Sequence, residues 1–79
     1  MSHHLSGAFA RKTLRSRAAG FRNSAVRLED LMNDALSSAE CSESADDRKC
    51  ALGFAAIIQE HVDGILAIAA KLEALAENR

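Results

Sequence analysis

Two cysteines bracket the stretch CSESADDRKC at residues 41–50, and thiols eight residues apart could close a disulfide, contribute half of a metal site or simply flank a turn. The metal reading is the weakest, because zinc takes four closely spaced ligands and the nearest histidine, His61, lies eleven residues beyond Cys50. His3 and His4 follow the start closely, and a histidine at the third position can join a square-planar nitrogen set for Cu(II) or Ni(II); a floppy terminus is the simpler reading. No cofactor and no structural metal is expected.

Catalytic chemistry finds no support either. A general acid or base needs a partly desolvated pocket and a second positioned group, and Asp30, Asp34, Glu60 and Asp63 fall on expected solvent faces without a nucleophile at useful spacing. His61 sits among apolar neighbours and reads as a core or interface histidine. A sharper alternative places it on the twofold axis of a dimer, as a pH-sensitive contact with its mate. Arg11, Arg15 and Arg22 share one helix flank and form a basic stripe that could meet phosphates. No aromatic residue accompanies them for base stacking, so nucleic acid is the lesser partner class.

The elements that must position these residues are helical. The 79-residue chain has no Pro, Trp or Tyr and only four Gly, and its Ala and Leu content favours helix over a pleated sheet. From Leu14 a heptad runs through Ala18, Phe21, Ala25, Leu28, Met32, Ala35 and Ala39; a second runs from Phe54 through Ile58, His61, Ile65, Ile68, Leu72 and Leu75. Alternating steps of three and four keep each set on one helix stripe. Paired in opposite directions, Leu14 with Leu72, Phe21 with Ile65 and Met32 with Phe54 all sum to 86, which centres a reversal on Glu43. Ser44 and Asp47 have the spacing of a capping box, and Asp46 and Asp47 suit a helix N-terminus.

The spacing therefore predicts an all-α antiparallel helical hairpin with helices over about 8–40 and 45–76 and a turn near 41–45. Gly20 is a candidate bend in the first helix. Residues 1–7 read as a flexible N-terminus and 8–79 as one hairpin domain. In this register the two cysteines stand too far apart for a disulfide, which needs Cα atoms within about 6.8 Å. Cys50 is expected to be buried beside the Phe54 stripe and Cys41 to be exposed.

The second helix carries a wider apolar arc than one partner helix covers, with Phe54, Ile57, Ile58, His61, Val62, Ile65, Leu66 and Ala69 as the expected interface. A second copy is the expected cover, giving a four-helix-bundle homodimer. Charge is divided along the chain: residues 1–28 hold six basic residues and no acid, while 29–79 hold four basic residues against eleven acids. The two halves carry +6 and −7, a split that folding back or self-association could satisfy. No unbroken apolar run nears the roughly 18 residues of a membrane span, and the start lacks the apolar region of a secretory signal; with two thiols expected to be reduced, a cytoplasmic, membrane-independent protein is expected. Its expected role is a non-enzymatic protein-binding module, a regulator, inhibitor or adaptor. A nucleic-acid-associated protein and a structural assembly subunit are the alternatives.

Overall fold

The structure, a computed structural model, describes residues 7–77. Two helices make up the fold, α1 over Gly7–Cys41 and α2 over Ala45–Glu77, and they pack against each other as a helical hairpin. The His3–His4 pair and most of the expected flexible N-terminus lie outside the described residues, and Gly7 already opens α1. The molecule is a rod with principal extents of 64 × 18 × 14 Å.

Gly20 does not break α1. A helix-interior glycine costs about 1 kcal/mol relative to alanine, and the favourable residues on both sides carry the helix through it, without any positive φ along the described chain.

The reversal occupies residues 42–44, and serines organise it. The Ser42 amide donates to the Ala39 carbonyl at 3.4 Å, the end of the α1 ladder. Ser44 caps α2: its hydroxyl accepts from the Asp47 amide at 3.2 Å, while its carbonyl accepts the first helical bond, from the Arg48 amide, at 3.1 Å. In a full capping box the Asp47 side chain would reach back to the Ser44 amide. Here that amide donates instead to the Ser42 hydroxyl at 3.2 Å. The Arg48 guanidinium then donates to the Ser42 carbonyl at 2.7 Å, tying the first turn of α2 to the loop. Asp46 and Asp47 complement the α2 dipole, whereas α1 has no acid in its first turn and no base in its last.

Small residues hold the two helices together. Among the described residues the buried ones are Ala18, Ala25 and Ala39 on α1 and Ala55, Val62, Ala69 and Ala76 on α2, and of these Val62 alone is larger than alanine. Each set recurs at multiples of seven, with half-buried Met32 filling the one gap in α1. Leu14, Leu28 and Ala35 on α1 and Ile58, Ile65 and Leu72 on α2 are half-buried between these positions. The α1 seam thus follows its expected heptad, although Phe21 remains 36% exposed.

On α2 the expected seam requires correction. Only Ile58, Ile65 and Leu72 of that heptad join the seam; Phe54, His61, Ile68 and Leu75 are exposed, and the residues one position further on, Ala55, Val62, Ala69 and Ala76, take their places. The physical reason is distance. Helix axes can approach the short end of their roughly 8–10 Å range only where the facing side chains are small, so alanine wins the centre and the bulky residues are displaced to the flank.

A seam of alanines tolerates little added volume. Ala25→Leu or Ala69→Leu should each destabilise the hairpin by about 1–3 kcal/mol through overpacking, and Ser44→Ala by about 1 kcal/mol through loss of the α2 cap. Guanidinium denaturation followed by helical circular dichroism measures all three.

Candidate interaction face

In an antiparallel pair, residues rotated to the same side of both seams lie on one face of the hairpin, at about 100° per residue. Two unlike faces result.

One face is polar and alanine-rich. Across it Arg22 Nε donates to Glu73 Oε2 at 2.8 Å, and Arg22 Nη2 donates to Glu73 Oε1 at 2.5 Å, a two-point charge-assisted contact between the helices. Arg15 and Ala19 border the same depression as Glu73 and Glu77, and Arg11 and Arg15 border another with Ala76 and Glu77. Further along α2, Gln59 donates to Asp63 at 2.8 Å. The basic stripe expected at Arg11, Arg15 and Arg22 therefore lies beside the acids of α2 rather than forming an uninterrupted cationic surface. Hydrogen bonding to Glu73 raises the Arg22 pKa, and hydrogen bonding to Arg22 holds the Glu73 carboxyl below its ordinary value.

The opposite face carries most of the exposed large apolar side chains, Val26 and Leu52, each 54% exposed, being on the polar side. On α2 it presents Phe54, Ile57, His61 and Ile68, with Ile57 as much as 69% exposed. On α1 it presents Phe21 and Leu31, the latter 46% exposed. Shallow grooves run along it. Around Gly20 one is lined by Thr13, Ser16, Arg17, Phe21 and Ser24; around Gly64 another is lined by Ile57, Ile58, His61, Ile65 and Ile68. Gly20 and Gly64 fall on this side, inside helices, and an added Cβ at either, or at Gly53, would meet nothing within 4 Å. Neither backbone conformation nor packing within the hairpin calls for glycine there.

Of the interface residues expected from sequence, the structure leaves Phe54, Ile57 and His61 exposed and Ile58, Ile65 and Leu66 half-covered. Val62 and Ala69 are corrected: both are fully buried against α1 and are unavailable to a partner. Cys50 is corrected as well. Both thiols are free and exposed, because Cys50 accompanies Phe54 on the flank that the seam does not cover. Leu31 and Leu52 escaped the sequence reading, since neither belongs to a stripe that could be matched to the other helix. The signal for the correct seam was present in the sevenfold spacing of small residues.

Charge is distributed along the rod. Residues 7–28 and 58–77, which form the open end, hold seven Lys and Arg against Glu60, Asp63, Glu73 and Glu77; residues 29–57, around the turn, hold seven Asp and Glu against Arg48 and Lys49. The open end is net +3 and the turn end net −5. Among the described residues no three His, Cys, Asp or Glu side chains are placed to hold a metal ion. No protein family matches the chain, and no curated protein or solved structure is significantly similar to it.

Because the Glu73 carboxyl is held low, the folded chain binds its proton less readily than the unfolded chain does. The pair's stabilisation is present above the ordinary carboxylate range and is lost as pH falls through the lower folded-state value. Glu73→Gln should accordingly lose stability relative to wild type at neutral pH and low salt, and denaturation curves of the two should converge in acid and in high salt.

Proposed function

We propose that this chain is a non-enzymatic protein-binding module, a regulator, inhibitor or adaptor that works by laying its apolar face against another helical surface. A single observation supports this reading: the hairpin buries six alanines and a valine while Phe54, Ile57 and Ile68 stay in solvent. Burying a side chain the size of Ile or Phe is worth about 1.5–3 kcal/mol, far more than the contribution of a methyl group. Apolar free energy from these bulky side chains is thus left for association. The shape suits recognition better than catalysis, since the grooves are shallow and lie along single helices rather than enclosing a reacting group.

Nucleic-acid binding through Arg11, Arg15 and Arg22 is less well supported, because Glu73 and Glu77 stand among those arginines. A membrane reading also has a physical counterweight. By length and composition α2 reaches what a membrane span requires, a test that core helices of soluble proteins also pass. Glu60 and Asp63 sit near its middle, however, and carboxylates are costly at that depth.

The double variant Ile57→Glu/Ile68→Glu tests the assignment. Both side chains are exposed in the hairpin, so helix content should be retained, whereas self-association measured by light scattering and capture of other proteins from a lysate should both be lost. A wild-type chain that stays at 8.5 kDa and captures nothing the variant does not would refute the reading.

A further inference from the structure

Resting on the interaction-face reading above, we infer that the occupant of this face is a second copy of the chain, stacked face to face with its rod reversed, so that the turn of each hairpin lies at the open end of the other. Two observations carry the assignment, one of area and one of charge.

The face is large enough for a stable partner. A rod of 64 × 18 Å presents about 1,100 Å² in projection, the product of the two extents, against about 800 Å² per partner in a standard stable interface. An isologous dimer covers the face on both copies at once.

Charge selects the orientation. Side by side in the same direction, two copies would bring both acidic turn ends together and both basic ends together. Reversed, the +3 end of each lies along the −5 end of the other. With a Debye length of about 8–10 Å in physiological salt, opposite ends of a 64 Å rod scarcely sense each other, so the local juxtaposition decides the sign. The groove around Gly20 is rimmed by Lys12 and Arg17, and the groove around Gly64 by Glu60. Reversal about an axis through the rod's midpoint sets Arg17 near Asp34 of the second copy's α1. It also sets Phe54 near the second copy's Ile68.

Native cysteines make the arrangement measurable. Cys41 lies at the turn and is exposed. In the Cys50→Ser variant, spin labels on Cys41 should be roughly 50 Å apart in the reversed dimer, the length of a helix at 1.5 Å per residue, whereas copies pointing the same way would place them within about 25 Å, two helix diameters. Sedimentation of the unmodified chain should give the mass of two chains. Gly64→Leu, whose side chain enters open space in the hairpin, should keep its helix content and weaken the dimer at least tenfold. A short Cys41 distance, an undiminished Gly64→Leu dimer, or a mass that climbs past two chains with concentration would overturn the inference. A monomer would overturn it too. If such a monomer still captured another protein through Ile57 and Ile68, the interaction-face reading would survive; if it captured none, both would fall.

Discussion

Close approach of two helices is the constraint from which the rest of the molecule follows. Ala18, Ala25 and Ala39 face a seam shared with Ala55, Val62, Ala69 and Ala76, and side chains this small let the helix axes come near each other. The approach has a cost in burial. A chain of 79 residues has little surface to hide in any case, and assigning the centre of its seam to methyl groups leaves the hairpin with a thin core. The bulky residues that would otherwise fill that core flank it in solvent.

Local interactions compensate in part. The serine-built turn satisfies the exposed ends of both helices with side-chain and backbone groups no more than six residues apart. Arg22 and Glu73 link the helices near the open end, where the chain itself provides no connection. Both are exposed, so this link is a modest, screened one. The α1 dipole has no acid at its start and meets Glu40 at its end, and the antiparallel α2, with its own opposed dipole and its Glu73 and Glu77 beside the α1 start, offsets that mismatch.

Much of this was legible in the sequence, and the exceptions have a common cause. Helix type, the fold-back at 42–44 and the Ser44 cap could be read because they depend on local chemistry: absent proline, periodic apolar residues, a hydroxyl three positions before an acid. The α1 seam could be read because its alanines and leucines alternate in a single heptad. On α2 two heptads overlap, one large and one small, displaced by a single residue. Side-chain bulk favours Phe54, His61 and Ile68, whereas steric fit favours Ala55, Val62 and Ala69, and sequence alone does not weigh one against the other. Cys50 and the expected interface positions Val62 and Ala69 were misplaced by that same rotation.

If the alanine seam leaves the hairpin dependent on covering its outer face, folding and association are one equilibrium, and stability should depend on chain concentration. Thermal unfolding followed by circular dichroism from about 1 µM to about 100 µM tests this directly. A midpoint that rises steadily across that range is the predicted result; a midpoint independent of concentration, with the chain a monomer throughout, would contradict the account.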